Sequence, residues 1–367
     1  MPTIEALRTQ VFTVPTDLPG GDGTASWEAT TMVLVEVMAG PEGHGLGYTY
    51  GSPAAAAFVH SHLATSVLGA NPDHIGAIWS AMTAQVRNAG LPGVGATAIS
   101  AVDLALWDLK ARNVEQPLWR HLGAHRQRVL AYGSGGLTPM TVTQLQSQLS
   151  GWVESGMAHV KMKIGTDWGE DEQSDLRRVM AAREAIGAAD LMVDANGAYT
   201  LKQARRLVRP LADRGVTYFE EPVSSDRLQQ LALLRQDSCL QIAAGEYGYT
   251  PWYFHRMLHA EAVDVLQADA TRCLGATGWL QAAALAYAAG IPLSAHCAPA
   301  IHTHLGCAAP QIAHIEYFHD HARLEQLLFD GASEPQGGYL IPDASAPGLG
   351  LKLRAGADRF RTAAQMS

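Results

Sequence analysis

The sequence predicts an α/β protein: a (β/α)8 TIM-like barrel with an α+β N-terminal capping domain that the C-terminal tail completes. Two observations lead to this fold class. Between residues 126 and 322, eight short apolar segments alternate with amphipathic helix patterns, as the units of a closed parallel barrel do. Residues 1–125 show no such alternation, and the part after residue 322 is rich in loops, Pro and Gly. We therefore expect 1–125 and 323–367 to pack together and 126–322 to form the catalytic barrel.

The first 125 residues combine strand and helix patterns without a repeat. Strand-like segments cover 5–14 and 30–40, and the polar, glycine-rich stretch 16–27 between them is predicted to be a loop. Apolar residues at helical spacing then predict helices. These helices cover 54–68, 74–89 and 95–113.

The barrel segments are short, apolar and separated by helix patterns. One of these helices, 170–187, has an acidic first turn and ends at Gly187. The eight strand segments are VLAYGS, HVKMKIG, LMVDAN, TYFEEP, QIAAGE, DVLQAD, IPLSAHC and AHIEYF.

The composition narrows the class of protein. The chain has 367 residues, of which 47% are hydrophobic and 17% charged, and its formal net charge is −9. This balance fits a well-packed globular protein and argues against a nucleic-acid or anionic-membrane surface. The four cysteines form no CxxC pair, the N-terminus has no secretion-signal pattern, and no apolar run reaches the length of a membrane span. We therefore expect a cytoplasmic protein with reduced thiols.

From the second segment onward, each barrel strand ends in an ionisable residue. From Asp194 to Glu316, successive ends are separated by about one βα unit. Because all strands of such a barrel end at one mouth, these residues are expected to form one polar site. They are Lys163, Asp194, Glu220, Glu246, Asp269, His296 and Glu316.

Three consecutive strands supply carboxylates: Asp194, Glu220 and Glu246. Any one of them could be a helix cap or half of a surface ion pair. Three acids in register at one place, however, cannot all be ionised without a cation. Ligation by oxygen alone suits a hard divalent ion, Mg²⁺ before Mn²⁺. The sequence therefore predicts one metal site per subunit.

The flanking strands supply candidate bases. In HVKMKIG, Lys161 and Lys163 point to the same side of an otherwise apolar strand. A divalent cation and a second ammonium would lower the pKa of Lys163, so that it could accept a proton near neutral pH. Lys161 is expected to hold the substrate carboxylate. On the other side, Asp269 could fix the tautomer of His296. This layout predicts removal of the proton α to a carboxylate, through an enediolate.

These strings, in this order, resemble the enolase superfamily and, within it, the mandelate racemase subgroup. The resemblance covers nearly the whole chain, beginning with AVDLALWDLKARN near the end of the capping domain. VKMKIG is similar to the subgroup's lysine strand, and VDANGAYT, FEEP and AAGE are similar to its three metal-ligand strands. QADATRCLGATG and SAHCAP are similar to the strands that carry its Asp–His dyad.

The resemblance implies site residues and an assembly. Glu221 would lie behind the metal ligands, and Glu316 falls where the racemase has an acid that helps to stabilise the enolate. The family often forms dimers or larger assemblies, so a homo-oligomer is expected. The Mg²⁺ ligands, the base and the dyad that the resemblance implies are Asp194, Glu220, Glu246, Lys163, His296 and Asp269.

Two features depart from related sequences. The sixth strand, LQADATRC, has no lysine, whereas the muconate-lactonising subgroup would place one there. This departure argues against cycloisomerase or dipeptide-epimerase activity. Tyr199 stands where many relatives have a tryptophan, and we interpret it as a changed pocket wall.

Other polar residues are candidates for substrate contact. Asn196 could bind substrate or a metal-bound water. His302 and His304, in HCAPAIHTHLG, could contact substrate, hold a second metal or be ordinary loop residues; His302 is kept as a candidate contact. His319 and His321 lie past a strand end and are expected to be structural.

Two stretches of the capping domain, 16–27 and GYTYGS at 47–52, are expected to cover the site and select the substrate. Their side chains are mostly polar, which favours a polyhydroxylated acid over an aryl acid. These side chains are Asp17, Asp22, Thr24, Ser26, Tyr48 and Tyr50.

The sequence leaves three functions open, all with a small carboxylate as the ligand and none with nucleic acid or membrane. The favoured one is a lyase that dehydrates a sugar acid. Lys163 or His296 would remove the α-proton, and His296 would help the β-hydroxyl leave as water, giving a 2-keto-3-deoxy acid. The second is a racemase or epimerase of a 2-hydroxy acid that uses the same residues. The third is a non-catalytic barrel that binds a sugar acid.

Overall fold

The structure, a computed structural model, describes residues 3–41 and 43–362. It begins with an antiparallel sheet of β1 (Ile4–Gly21), β2 (Ser26–Ala39) and β3 (Gly43–Tyr50), in that spatial order. Helices follow, interrupted by π-helical turns over 59–63 and 91–95. They are α1 (Ala54–Phe58), α2 (Ala64–Val67), α3 (Ile75–Gln85), α4 (Ala96–Asn113) and α5 (Leu118–His121).

The stretch 16–27 is not the loop that the sequence predicts. Strands β1 and β2 continue through most of it as a hairpin, in which Gly20 pairs with Trp27 and Gly21 with Ser26. Only residues 22–25 form the turn. This part of the hairpin extends beyond the core of the capping domain, so its side chains are mostly polar and lack the apolar alternation that marks a strand. Likewise, residues 47–50 are the end of β3.

Helix α4 packs directly on β3. A Cβ at Gly45 would lie 2.1 Å from the carbonyl oxygen of Ala105, and one at Gly47 would lie 2.2 Å from that of Ala101. Both distances are far below van der Waals contact, so glycine is required at both positions. The two glycines let the backbones of helix and strand approach, which anchors β3 and its terminal Tyr50.

Within the described residues, eight parallel strands form a closed barrel, and each matches one predicted strand segment. Neighbours pair in chain order, and the last strand pairs with the first, Ile315 against Ala131. The predicted fold class is therefore confirmed. The barrel strands are β4 (Val129–Gly135), β5 (His159–Lys163), β6 (Asp190–Asp194), β7 (Val216–Glu220), β8 (Gln241–Ala244), β9 (Val265–Ala268), β10 (Leu293–Ala295) and β11 (Ile312–Phe318).

Helices cover the outside of the barrel. The predicted helix 170–187 is α8, which is capped by Asp171 and ends before Gly187, a residue with φ of 60°. The barrel helices are α6 (Val142–Glu154), α7 (Thr166–Gly169), α8 (Glu172–Ile186), α9 (Leu201–Ala212), α10 (Leu228–Asp237), α11 (Pro251–His259), α12 (Gly275–Ala289), α13 (Pro299–Ala308) and α14 (His319–Leu328).

The tail after α14 pairs with both the barrel and the capping sheet. It contains short strands, of which β13 pairs with β4 and β15 pairs with β1, Thr362 against Val11. These strands are β12 (Phe329–Asp330), β13 (Tyr339–Leu340), β14 (Lys352–Leu353) and β15 (Arg361–Thr362). The ends of the predicted capping unit, residues 1–2 and 363–367, lie outside the described residues, and its boundaries stay a prediction. In the described part of the chain, no helix combines the length and apolarity needed to cross a membrane.

Candidate active site

The predicted polar residues gather at the C-terminal mouth of the barrel. Strands β5, β6 and β7 end at Lys163, Asp194 and Glu220. Glu246 follows β8 by two residues, Asp269 and His296 directly follow β9 and β10, and Glu316 lies within β11. All of these side chains are buried. The structure therefore brings together one polar site from seven strands.

The three carboxylates Asp194, Glu220 and Glu246 form one cluster. Each offers an oxygen, and these oxygens all lie within 4.8 Å of one another. Oε1 of Glu220 and Oε2 of Glu246 are buried without a hydrogen-bond partner. Burial and then the charge of Asp194 raise the pKa of Glu220 well above its usual value. Bare oxygens and mutual repulsion are what a hard cation would relieve, so the cluster fits Mg²⁺.

The two lysines of β5 differ in position. Nζ of Lys161 lies 2.6 Å from Oε2 of Glu220 and 2.8 Å from Oε1 of Glu316, and its side chain is only 1% exposed. It lies beneath the cavity, not on its wall, so the structure does not present it to a substrate carboxylate. Lys163 pairs with Asp194 and lines the cavity.

The carboxylates around Lys163 act on its pKa. Burial is the strongest single influence and acts to lower this pKa, but the charges of Asp194, Glu246 and Glu220 together outweigh it and raise the pKa above its usual value. The nearest charge in the structure is the carboxylate of Asp194, which stabilises the ammonium form. The lowering of this pKa beside a bound divalent cation stays a prediction.

His296 and Asp269 form the predicted dyad. The ring atom Nδ1 of His296 lies 2.9 Å from Oδ2 of Asp269. Asp269 also accepts hydrogen bonds from the backbone N–H and hydroxyl of Thr271, both at 2.7 Å. Although burial acts to raise the pKa of Asp269, the hydrogen bond and charge of His296, together with the charge of Arg272, lower this pKa below its usual value. An ionised Asp269 therefore keeps the proton on Nδ1, and Nε2 faces the cavity, 3.3 Å from Oε2 of Glu246.

Glu316 is an acceptor in this arrangement. Besides its contact with Lys161, it accepts a hydrogen bond from the Ser134 hydroxyl at 2.6 Å and one from the backbone N–H of Cys297 at 3.1 Å. Burial opposes ionisation of Glu316, but the charges of Lys161 and His296 hold its pKa well below the usual range. The structure thus presents Glu316 as a carboxylate between the lysine and histidine sides.

Both domains line the cavity above these residues, which has a volume of about 340 Å³. The hairpin tip, residues 22–25 between β1 and β2, covers the cavity and is hydrogen-bonded to the barrel. The Thr138 hydroxyl donates to the carbonyl oxygen of Asp22 at 2.6 Å, and the backbone N–H of Trp168 donates to that of Gly23 at 2.9 Å. The capping domain contributes Asp22, Trp27, Ala29, Thr30, Thr31, Tyr50 and Gly51 to the wall.

Sequence reasoning missed several residues of the cavity wall. Arg272 lies 3.4 Å from Oε1 of Glu246, and Tyr247 is beneath its guanidinium. His321, which we predicted to be structural, lines the cavity and stacks on Tyr50 with ring centroids 3.6 Å apart. Cys297 and Phe318 complete this side. Of these residues, only Arg272 could have been found from the sequence, because it lies three residues after the predicted site residue Asp269.

Other candidates lie elsewhere. His302 is fully buried in α13: its Nδ1 contacts the carbonyl oxygen of Cys297 at 2.7 Å, and its Nε2 accepts from the backbone N–H of Ala270 at 3.0 Å. Both nitrogens are engaged, so the structure does not bring His302 to the substrate cavity. Tyr199 donates to Asp175 at 2.6 Å and is not a pocket wall either.

The remaining candidates take four different positions. Asn196 lines the cavity, whereas Glu221 is buried beside the carboxylate cluster, where burial and Glu246 raise its pKa. His304 is buried in α13, where burial lowers its pKa to about 4. His319 lies at the surface side, 2.9 Å from Asp17. Among the described residues, neither His302 nor His304 belongs to a group that could hold a metal.

Comparison with known families decides the relationship. Residues 144–357 match the family described as enolase C-terminal domain-like, and residues 6–123 match the mandelate racemase/muconate lactonizing enzyme N-terminal domain. The chain belongs to the enolase superfamily. Within it, the two matched domains and the relatives below place it in the mandelate racemase group, as the motifs predicted.

Two curated relatives of this superfamily are similar over most of their length. A 3,6-anhydro-alpha-L-galactonate cycloisomerase of Streptomyces coelicolor is 32% identical over 95% of this chain and 97% of its own. An arabinonate dehydratase of Saccharolobus solfataricus is 30% identical over 88% of this chain and 87% of its own.

Solved structures of the enolase superfamily agree in fold. A mandelate racemase/muconate lactonizing enzyme-like protein from Rubrobacter xylanophilus has 49% identity and a TM-score of 0.94, covering 98% of this chain and 100% of that one. A racemase from Streptomyces coelicolor with bound magnesium has 31% identity and a TM-score of 0.91 over 98% and 100%. An L-talarate/galactarate dehydratase from Salmonella typhimurium, with Mg and L-lyxarohydroxamate, has 28% identity and a TM-score of 0.90 over 98% and 93%. These magnesium-bound relatives and the carboxylate cluster identify Mg²⁺ as the cofactor of this protein.

Proposed function

We propose that this enzyme dehydrates a sugar acid to a 2-keto-3-deoxy acid. The observation that carries the proposal is the placement of two proton-transfer groups at one cavity. Lys163 comes from β5 and His296 follows β10, and the carboxylate cluster on β6, β7 and β8 lies between them. A carboxylate substrate above the cluster would have one such group on each face.

The cluster of Asp194, Glu220 and Glu246 would hold Mg²⁺, which when bound supplies positive charge to offset the enediolate. Lys163 accepts a proton only in its neutral form. We therefore expect its ion pair with Asp194 to weaken when Asp194 becomes a metal ligand.

The groups on the two faces have separate tasks in this mechanism. Lys163 breaks the Cα–H bond by taking the proton. His296, in its imidazolium form, delivers the Nε2 proton to the β-hydroxyl, the C–O bond breaks and water leaves, so that a neutral imidazole remains. Asp269 keeps the Nδ1 proton in place throughout, so that Nε2 is the nitrogen that gives up its proton. The enol that remains tautomerises to the 2-keto product. Glu316 orients Lys161 and His296 through its contacts with both.

The same residues would serve a racemase or epimerase, which is the alternative function. Dehydration is favoured because the cavity wall carries Asp22, Thr30, Thr31 and His321, which suit a chain of hydroxyl groups. Dehydratases of sugar acids are among the relatives. A cycloisomerase is among them too, so the argument from the missing lysine on β9 stays a prediction. A non-catalytic binder would have no need of two opposed proton-transfer groups. The homo-oligomer and the cytoplasmic location also stay predictions.

A panel assay tests the proposal. The protein is incubated with Mg²⁺ and a panel of sugar acids, and 2-keto products are measured by a carbonyl reagent. The same panel in deuterated water reports exchange at Cα by NMR. A 2-keto product supports the dehydratase. Exchange with inversion and no 2-keto product would replace it by the racemase, and neither signal with any acid would contradict both.

A further inference from the structure

The cavity wall is uneven in charge. The positively charged side chains that line it, Lys163 and Arg272, both stand on the barrel side beside carboxylates. Lys163 pairs with Asp194, while Arg272 lies 3.4 Å from Glu246 and 3.6 Å from Asp269. Both cations are therefore on the floor, where the first carboxylate of the substrate would bind.

In the part of the chain that the structure describes, the opposite wall carries no cation. Among the described residues, the capping domain contributes to the cavity only neutral side chains, glycine and Asp22. His321, which joins this wall from α14, is held neutral, because burial lowers its pKa to about 3. A second carboxylate reaching this wall would be desolvated without a partner, which is costly.

Asp22 is prepared to accept a hydroxyl group. Its Oδ1 accepts hydrogen bonds from the backbone N–H of Thr24 at 2.6 Å, the Thr24 hydroxyl at 3.0 Å and the backbone N–H of Ala25 at 2.8 Å. These bonds fix the carboxylate in the turn of the hairpin. No hydrogen bond from the described residues reaches Oδ2, which is therefore able to accept from a ligand in the cavity.

We infer that Asp22 selects a monocarboxylic sugar acid, an aldonate, by accepting a hydroxyl at the far end of its chain, and that it discriminates against the dicarboxylic aldarate. This inference rests on the proposed function for the identity of the site. An aldonate ends in a hydroxymethyl group, which can donate to Oδ2. An aldarate of the same configuration places there a carboxylate, which cannot donate and repels Asp22.

Matched pairs of acids test the inference. D-Galactonate with galactarate, and D-gluconate with D-glucarate, differ only at the terminal carbon. For the pair that the Mg²⁺-loaded enzyme uses, kcat/KM should be at least about tenfold higher for the aldonate, the value expected for one charge-assisted hydrogen bond. Dissociation constants from calorimetry with Mg²⁺ should show the same preference without requiring turnover.

Two variants test whether the capping-domain wall causes the preference for the aldonate. Asp22→Asn keeps an oxygen for the hairpin turn and removes the charge, so the aldonate-to-aldarate ratio should fall about tenfold. Thr30→Lys adds a cation to the same wall and should shift the ratio in the same direction. Glu28→Gln, at an exposed carboxylate of β2 that does not line the cavity, is the control and should leave the ratio unchanged.

The outcomes separate this inference from the proposed function. Equal or better use of the aldarate by the wild type, or an unchanged ratio in Asp22→Asn, would overturn the inference and leave a dehydratase in place. Binding of the aldonate in preference to the aldarate without any 2-keto product would support the inference and overturn the dehydratase. If neither member of any pair binds, both are wrong.

Discussion

The hydroxyl of Tyr48, in the capping domain, donates a hydrogen bond of 2.5 Å to Oε1 of Glu325, in the barrel helix α14. Tyr50 donates to the same oxygen at 3.2 Å, and the backbone N–H of Ala300 donates to the other oxygen at 2.9 Å. Glu325 is fully buried, and burial raises its pKa to about 8 despite these hydrogen bonds. One carboxyl group therefore joins the two domains beside the cavity.

This carboxyl group predicts a pH-dependent stability. In the unfolded chain Glu325 loses its proton near pH 4.5, whereas in the folded protein it keeps the proton to about pH 8. Between these values the folded state binds the extra proton, so the free energy of unfolding should fall as pH rises through this window, by about 2–5 kcal/mol. Glu325→Gln is always neutral and should flatten the dependence, measured by urea unfolding at pH 5, 6.5 and 8. An equally steep decline in Glu325→Gln would contradict the assignment.

Removing a metal ligand should abolish turnover without unfolding the barrel. Asp194→Asn, Glu220→Gln and Glu246→Gln each replace a charged oxygen of the cluster by an amide. Each should weaken Mg²⁺ binding by at least about 100-fold, because even supporting residues of metal sites contribute 10- to 100-fold. Calorimetric titration with Mg²⁺ measures this, and circular dichroism reports the fold. Asp213→Asn, at the exposed end of α9, is the control; full activity in excess EDTA would refute the metal requirement.

The two proton-transfer groups should be separable by isotope exchange. In a dehydratase, His296→Asn should stop dehydration while Lys163 still exchanges the α-proton with deuterium. Lys163→Ala should lose both reactions. Each loss should be about 10²- to 10⁴-fold, the usual contribution of a general acid or base.

A racemase gives a different pattern in the same experiment. Each variant should then keep exchange with one enantiomer and lose it with the other. If His296→Asn dehydrates its substrate at the wild-type rate, His296 takes no part in the mechanism and the Asp269–His296 pair is structural.

The hairpin tip should be sensitive to a single methyl group. A Cβ on Gly23 would lie 2.6 Å from the carbonyl oxygen of Gly165 and 2.9 Å from that of Ile164. Gly23→Ala should therefore push the tip away from the barrel and lower kcat/KM by about 10- to 100-fold, as small misplacements in active sites do. Gly76→Ala adds the same methyl group in open space on α3 and should keep wild-type kinetics. Unchanged kcat/KM in Gly23→Ala would show that the tip does not position the substrate.

The barrel and its polar mouth could be predicted because both are local patterns repeated along the chain. Each strand is a short apolar run, and each from the second onward ends in an ionisable residue, so Asp194, Glu220 and Glu246 could be placed in register from their spacing alone. No knowledge of long-range packing was needed beyond the rule that parallel strands end at one mouth.

The cavity wall could not be predicted in the same way. His321 lines the cavity and stacks on Tyr50 from the other domain, and no local pattern reports a contact so distant in the chain. His302 illustrates the opposite error. It follows a strand that ends at the site and was therefore a candidate for substrate contact, yet its ring nitrogens bind the backbone at Cys297 and Ala270. The backbone at Cys297 has a φ of 52°, a local geometry that the sequence does not signal.

The pairing of β15 with β1 has a consequence for how the chain folds. Thr362 donates a hydrogen bond to the carbonyl oxygen of Val11, a residue 351 positions earlier. The fourth strand of the capping sheet is therefore added only after the whole barrel has been synthesised. Contacts between such distant segments require closure of a very long loop, which slows folding. We expect the capping sheet to reach its final form in a late kinetic phase, after the barrel has closed, so that a ribosome-bound chain lacking its last residues would hold an assembled barrel mouth under an incomplete cover.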